Sequence, residues 1–448
     1  MIIGGRVRLG ATGRALKRRN FRLFFFGQLI SVTGTWMQST AQAWLVLTLV
    51  GKQDVAFYLG LLGAVQFLPV LVLGMFGGMI ADLMPKRQTV VATQIAAGLL
   101  ALVLAGLVHF GAVQVWEIFA LGLVLGIVNA VDIPTRQSFV VEMVGREDVA
   151  NAVGLNSAVF NAARIVGPAV AGILIAVIGT ALCFFLNSIS YVAVVAGLLM
   201  MRDDELMPAQ RLPMPRSVSA VRENMAEGLA YVWRTPIVLL VVGVVAIVST
   251  FGMNFNVVLP AMAGGVLDVG SVGFGLLTAA MGVGALIAAL IVAAGERPRI
   301  RLLLGGAILM GAAEVALSMT RLFPVALFVV FLAGLGAVAM AASANALIQV
   351  TVPGPLRGRV MAVYTTISVG STPVGNAVTG VVGAGYGTPA AVFVDGFVAM
   401  LGGVAGAFAV WRGGVRAGGG EGRSSETAEM APEPGQAVGG VAAGRSKA

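Results

Sequence analysis

The sequence predicts an all-α membrane protein whose twelve transmembrane helices form two pseudo-symmetric six-helix bundles. Three observations carry this prediction: the composition, the length of the apolar blocks, and one long hydrophilic interruption that divides the blocks six and six. Of the 448 residues, 58% are hydrophobic and 11% are charged, whereas a soluble domain carries about 25% charged residues. Such a chain cannot cover a water-facing surface, which excludes a soluble enzyme or binding module.

The apolar blocks have the length of membrane-crossing helices. A helix needs about 20 apolar residues to cross the hydrocarbon core, and these Gly-rich blocks lack the alternating pattern of barrel strands. The predicted spans, one to twelve, are 23–50, 57–81, 88–108, 114–133, 150–178, 180–201, 237–261, 271–294, 301–319, 323–349, 359–384 and 388–411.

Basic residues mark one side of the predicted bundle. All but three of the 29 Lys and Arg residues fall in the termini or in alternate loops, which is typical of the cytoplasmic side of a membrane protein. The exceptions are Lys52, Arg321 and Arg164. The pattern predicts a multi-pass protein of a bacterial inner membrane with both termini in the cytoplasm, and it explains the net charge of +9 without a nucleic-acid partner.

The hydrophilic interruption defines the predicted domains. A basic tail (1–22) precedes the N-terminal bundle (23–201), and a cytoplasmic linker (202–236) leads to the C-terminal bundle (237–411). Charged and apolar residues alternate at helical spacing within the linker, which predicts a helix on the membrane surface. The Gly-, Ala- and Ser-rich segment 412–448 is predicted to be a disordered cytoplasmic tail.

Cofactor and metal sites are not expected. A single cysteine, Cys183, lies in an apolar stretch, which excludes a disulfide framework or a multi-cysteine metal site. The chain also lacks the phosphate-binding pattern of ATP-driven pumps. We therefore expect no cofactor, no enzymatic activity and an ion gradient as the energy source.

Span one carries a polar face. Its five polar residues recur at steps of three and four and therefore share one side of a helix: Gln28, Ser31, Thr35, Gln38 and Gln42. Polar groups are costly in hydrocarbon unless they find partners. The stripe either lines a substrate cavity or forms hydrogen bonds between helices, and the sequence leaves both interpretations open.

Further polar residues are candidates for the same cavity or for ion coupling. Span five places Asn161 and Arg164 on one face, and a buried arginine requires a carboxylate, carbonyl groups or water. Asn254, Asn256 and Asn345 are further cavity candidates. The candidates for proton coupling are Asp132, Arg164, Glu314 and Asp395, because burial favours the neutral form of a carboxyl group. Structural pairing of each charge is the alternative.

The junction of spans two and three resembles a latch. Gly78, Asp82, Lys86 and Arg87 combine a tight turn, an acid and two bases. Asp82 is suited to bond a helix N-terminus or a base of the facing half, and this bond must break when the cytoplasmic gate opens.

These motifs resemble the major facilitator superfamily. The latch matches the pattern of its loop between helices two and three, with Leu83 and Pro85 departing from the usual residues. Span five is similar to its antiporter motif through Gly167, Pro168 and Gly172. The stretch 129–137 and the sequence 357–361 are similar to a branch of twelve-helix exporters that includes macrolide-type efflux proteins and the enterobactin exporter. The resemblance implies further cytoplasmic gate residues at Asp132, Arg136, Arg357 and Arg359.

The predicted function is the export of small amphipathic molecules of drug or siderophore type. The resemblance implies alternating access driven by proton exchange, with a lipid bilayer, protons and a small-molecule substrate as partners and with a monomer as the working unit. The alternatives are an importer of a defined nutrient on the same fold and a membrane sensor or scaffold that transports nothing.

Overall fold

A computed structural model describes residues 13–207, 218–295 and 299–413. For several short stretches within helices, including residues 74–83, it describes the backbone alone. The predicted disorder of the C-terminal tail and most of the predicted N-terminal tail lie outside the described residues. Within the described part, a short 3₁₀ helix (Arg14–Lys17) precedes the first long helix.

The described residues form twelve long helices, numbered here α1 to α12, and a surface helix, Val218–Arg234. Helices α1 and α2 cover residues 19–50 and 52–83, and α4 and α5 cover 115–144 and 146–178. Two helices are interrupted: α7 comprises Pro236–Phe251, Phe255–Ala261 and a π turn, Met262–Val266, and α11 comprises Gly354–Gly370 and Thr372–Tyr386. The other helices are α3 (Lys86–His109), α6 (Thr180–Leu199), α8 (Gly270–Ala294), α9 (Ile300–Met319), α10 (Phe323–Thr351) and α12 (Thr388–Trp411).

Ten helices in the described residues are long and apolar enough to cross a membrane. The two predicted spans outside this set are α1 and α11, and both are present as helices. Helix α1 is less apolar because of its polar face, and α11 is divided into two short segments at Ser371. Pro373 explains this break, because proline has no N–H to bond the preceding turn. The predicted all-α membrane fold is therefore confirmed.

Two predicted loops are single glycines in the structure. The chain reverses at Gly51 (φ 81°) between α1 and α2 and is non-helical at Gly145 (φ 74°) between α4 and α5. Glycine adopts positive φ without steric cost. Span four was expected to end at residue 133, but α4 continues to residue 144. Its extra turns bury Phe139 and Met143, so packing within the protein stabilises helix beyond the apolar block.

Helix α7 differs from the continuous span that the sequence predicted. Its backbone leaves the helix at Gly252–Asn254, and Pro260 lies in the next segment. The side-chain Nδ2 of Asn254 donates to the carbonyl oxygens of Thr250 (2.9 Å) and Phe251 (3.2 Å). Carbonyl groups freed by a break in the membrane must find a donor, so Asn254 stabilises the interruption.

The two halves, α1–α6 and α7–α12, pack against each other at one end. We call the end that carries Lys86, Arg87 and Arg359 the basic end, and the other the opposite end. Near the opposite end, a Cβ on Gly172 would lie 2.8 Å from the carbonyl oxygen of Ser271. The ring of Trp44 also stacks on that of Phe274 at 6.1 Å. These contacts seal the opposite end.

The surface helix lies against α11 at the basic end. A Cβ on Gly228 would lie 2.7 Å from the carbonyl oxygen of Arg359, and Val232 is 2% exposed. Glu227 forms an ion pair with Arg359. The helix predicted within the linker is therefore present and packs on the C-terminal half.

Candidate transport pathway

The polar face of α1 is largely buried against other helices of its own half. Gln28 accepts a 2.8 Å hydrogen bond from Arg136, and Gln38 accepts one of 2.6 Å from Asn187. Gln42 accepts a 3.3 Å bond from Gln66 of α2. In this conformation the three glutamines therefore form hydrogen bonds between helices, as one of the two interpretations of the stripe predicted.

The other polar groups of this face have fewer hydrogen-bond partners. Thr35 is exposed, donates to the carbonyl oxygen of Ser31 at 2.9 Å and approaches the hydroxyl of Tyr191 at 3.4 Å. Ser31 is buried, and the Nε2 atom of Gln28 is buried without a partner. Thr35 is thus the member of the stripe that this conformation leaves open, and a cavity lining by the whole stripe stays a prediction.

Arg164 lies midway along α5 without an anionic partner. Its guanidinium carbon stands 5.8 Å from the centre of the Trp36 ring, and its buried Nε atom makes no hydrogen bond. Asn161, one turn away, donates to the carbonyl oxygen of Ser157 at 2.8 Å. Ser157 is exposed and Asn161 is half-buried. This side of α5 therefore presents polar groups beside an arginine that no described carboxylate neutralises.

Asp132 has a complete set of donors. It is 2% exposed and accepts from Thr93 (2.7 Å), Gln94 (2.9 Å) and Arg136 (3.0 Å). Because Arg136 also bonds Gln28, this cluster links α1, α3 and α4. Asp132 is therefore a structural centre of the N-terminal half in this conformation.

The described charged residues of the predicted gate are bonded within their own halves. Lys86 pairs with Glu142 at 2.6 Å. Arg87 donates to the carbonyl oxygens of Leu198 (2.8 Å) and Leu199 (2.9 Å). A third bond joins Arg87 to Asp203 at 2.5 Å.

The remaining gate residues fall into two groups. Arg359 pairs with Glu227, and Arg357 is exposed. The side chains of Gly78 and Asp82 lie outside those that the structure describes. No described gate side chain therefore bridges the two halves at the basic end.

The antiporter-like motif forms the contact between α5 and α8. The Oγ atom of Ser271 donates to the carbonyl oxygen of Gly172 at 3.2 Å. A Cβ on Gly275 would lie 3.0 Å from Cα of Gly172, and Pro168 borders the same contact. On its other side, a Cβ on Gly167 would lie 2.8 Å from the carbonyl oxygen of Thr33. These small residues bring the backbones of both halves together.

Two buried acids form a cluster in the C-terminal half. Asp395 accepts from Thr379 at 2.7 Å and from Asn254 at 3.4 Å. Glu314 is 1% exposed, and neither of its carboxyl oxygens has a partner. It packs against Gly396, and the two carboxyl groups interact electrostatically. Both carboxyl groups are therefore buried in one apolar region of the C-terminal half, with no basic partner among the described residues.

The last cavity candidates are dispersed. Asn254 is buried in the cluster around Asp395 and Asn256 is exposed near the break of α7. Asn345 is half-buried and its Oδ1 accepts from Gln349. The structure therefore does not gather these three side chains at one place.

Sequence reasoning missed several partners of the residues it selected. They are Trp36, Gln66, Thr93, Gln94, Asn187 and Thr379. The polar types among them stand in otherwise apolar helices, which is the signal that could have identified them. The sequence could not indicate which residue meets which, because the partners are up to 149 positions apart.

The transmembrane secretion effector family matches the chain over residues 12–428. The chain belongs to this family. This membership places the protein among the transporters of the major facilitator superfamily rather than among enzymes. The resemblance inferred from its motifs is confirmed.

Individual relatives agree with this assignment. The chain is 29% identical to the staphyloferrin A transporter of Staphylococcus aureus (strain NCTC 8325 / PS 47) over 38% of its own length and 42% of the relative's. It thus spans less than half the length of that relative. It is 26% identical to the multidrug efflux pump Tap of Mycolicibacterium fortuitum over 80% of its own length and 88% of that pump.

A solved structure confirms the fold of this transmembrane secretion effector. A variant of the nucleoside transporter NupG superimposes with a TM-score of 0.68 at 10% identity, covering 87% of this chain and 99% of that one. At this identity the likeness concerns the fold alone.

Proposed function

We propose that the protein exports small amphipathic molecules by alternating access and that the conformation described is open toward the cytoplasm. The contact between the halves at the opposite end carries this proposal. Gly172 and Ser271 meet there, whereas at the basic end no described side chain of the predicted gate bonds across the two halves. A transporter that rocks around a central site adopts such a one-sided closure.

The direction of opening follows from the charge distribution. Basic loops stay on the cytoplasmic side of membrane proteins, so the basic end and both termini would face the cytoplasm of a bacterial cell. A substrate would enter from the cytoplasm and leave at the opposite end once that end opens. The staphyloferrin A transporter and the multidrug efflux pump Tap, by their names, move staphyloferrin A and multiple drugs, which supports a small-molecule substrate.

Proton exchange is the proposed source of energy. The buried carboxyl groups of Glu314 and Asp395, which have no basic partner among the described residues, are the proposed proton carriers. Asp395 also contacts Thr379 of α11 and Asn254 at the break of α7. Both helices take part in the contact between the halves, so a change of protonation can act on the gate at the opposite end.

The experiment uses the purified full-length chain in liposomes with imposed gradients. A panel of anionic, neutral and cationic amphipathic fluorophores of similar size is offered with and without a pH gradient and a protonophore. We expect uptake into vesicles that display the basic end outward and have an acidic interior, and loss of uptake when the protonophore is added. Transport insensitive to pH but dependent on sodium would contradict proton exchange. Transport in the reverse direction only would support the nutrient importer instead.

A further inference from the structure

Arg164 is a charged group to which the described residues supply no anionic partner. It sits midway along α5, and the described residues give it no hydrogen bond and no ion pair, only the face of Trp36 at 5.8 Å. An arginine within the hydrocarbon depth requires water or an anion. If the basic end is open as proposed, water can reach Arg164 in this conformation but not after the pathway closes.

The three acids predicted as candidates for proton coupling have other surroundings. Asp132 is bonded to Arg136, Thr93 and Gln94. Glu314 and Asp395 are each 1% exposed and lie in the core of the other half. None of the three contacts Arg164, so the arginine does not serve as a structural ion-pair partner in this conformation.

The surroundings of Arg164 combine a positive charge with aromatic and small polar groups. Trp36 packs edge-on against Phe160 at 5.5 Å, and Phe160 lies one turn from Arg164 on the same face of α5. The Nδ2 group of Asn161 donates to the carbonyl oxygen of Ser157, so its Oδ1 atom is the group that can accept a hydrogen bond from a ligand. An anionic head on Arg164 with an apolar or aromatic body along Trp36 and Phe160 fits these groups.

We propose that Arg164 is the anion-binding group of the transport site, and that the substrates are amphipathic molecules carrying a carboxylate or another anionic head. This inference rests on the proposed export function and names its substrate class. Arginine binds carboxylate and phosphate oxygens through two parallel N–H bonds, which lysine cannot reproduce. The Trp36 ring below the guanidinium holds it in place and supplies apolar contact for the rest of the molecule.

The same charge couples substrate binding to closure. Where α5 meets α8, a Cβ on Gly282 would lie 3.3 Å from the carbonyl oxygen of Arg164, so Arg164 stands beside the packed contact of the two halves. Closing the basic end removes water from this region and leaves the charge in a low-dielectric site. An anionic substrate neutralises it, and the empty transporter would therefore close less readily than the loaded one.

Binding is tested apart from transport, so that failure of this inference and of the export function can be separated. The quenching of Trp36 fluorescence in the detergent-purified full chain by matched anionic, neutral and cationic probes measures affinity, with Trp36→Phe as the background. We expect the anionic probe to bind best. Arg164→Gln should weaken it at least about tenfold, Arg164→Lys less, and the neutral probe should change by less than about twofold. Arg321→Gln, at an exposed turn away from the site, is the matched control.

Two binding results would contradict the role of Arg164. Equal weakening of all three probes by both Arg164 substitutions, or a preference of the unsubstituted protein for the cationic probe, overturns the inference. Thermal unfolding of each variant identifies a folding defect, and Arg164→Lys retains the charge if the glutamine variant does not fold. The anionic probe could bind in an Arg164-dependent way while no probe is transported in liposomes. That result would support this inference and reject the export function.

Discussion

Thr379 of α11 donates a 2.7 Å hydrogen bond to Oδ2 of Asp395 in α12, inside a cluster that contains no base among the described residues. Asn254 reaches the same carboxylate oxygen at 3.4 Å from the break of α7. One buried carboxyl group therefore joins three helices of the C-terminal half, two of which help to seal the opposite end.

Replacing Glu314 tests its protonation. We predict that the free energy of unfolding of Glu314→Gln lies within roughly 0.5 kcal/mol of that of the unsubstituted protein. The reason is that a neutral amide replaces a carboxyl group that makes no hydrogen bond. The same variant should lose transport driven by a pH gradient and keep exchange of labelled for unlabelled substrate. Retention of full pH-driven transport would remove Glu314 from the proton pathway.

Loss of the Asp395 side chain should destabilise the protein more than loss of the Glu314 side chain. Asp395→Leu leaves Thr379 and Asn254 without their shared acceptor, and we expect a loss of about 2 kcal/mol of stability. Asp395→Asn keeps an acceptor oxygen and should lose less. Thermal unfolding in detergent can be followed through the buried thiol of Cys183, which becomes reactive on unfolding. Equal stability of the two variants would show that these bonds contribute little.

A larger residue at the close contact between α2 and α11 should separate the two helices. A Cβ on Gly60 would collide with the backbone carbonyl of Asn376. We therefore expect Gly60→Ala to shift the population toward opening at the opposite end, since a rigid backbone contact cannot absorb the added methyl group. Distances between spin labels on the two halves measure the shift. Gly106→Ala, where the added carbon meets no neighbour, is the control, and identical distances in both variants would contradict the prediction.

Water access distinguishes the two ends directly. In a Cys183→Ala background, Ser157→Cys should react with a membrane-impermeant maleimide in inverted membrane vesicles, because Ser157 is exposed on the open side. Ser271→Cys should react poorly from either side, because Ser271 is 7% exposed and bonds Gly172. Faster labelling of position 271 than of position 157 would mean that the resting protein is open at the opposite end.

Arg87 is predicted to stabilise the end of α6. Its donors bond the carbonyl oxygens of Leu198 and Leu199 in the last turn of α6. We expect Arg87→Ala to cost about 2 kcal/mol. Arg234→Ala, at an exposed site, should cost less than about 0.5 kcal/mol. Similar melting temperatures for both variants would indicate that Arg87 acts only as a positively charged loop residue.

The amino-acid sequence by itself determined the membrane fold and the family. Apolar blocks of membrane length and the distribution of arginine and lysine are local properties, so they can be read without tertiary structure. The interruption of α7 at Asn254 and the single-residue turns at Gly51 and Gly145 were missed, since packing and backbone hydrogen bonds, not hydropathy, position them.

Only the tertiary structure decided what each selected polar residue contacts. The spacing of Gln28, Gln38 and Gln42 placed them on one face of α1, but their partners come from three other helices. Arg136 pairs with Asp132 four residues away, whereas Arg164 has no acid within reach among the described side chains. Helical periodicity fixes the direction of a side chain relative to its own helix, and the assembly of helices around it fixes whether a charge is neutralised or left for a ligand.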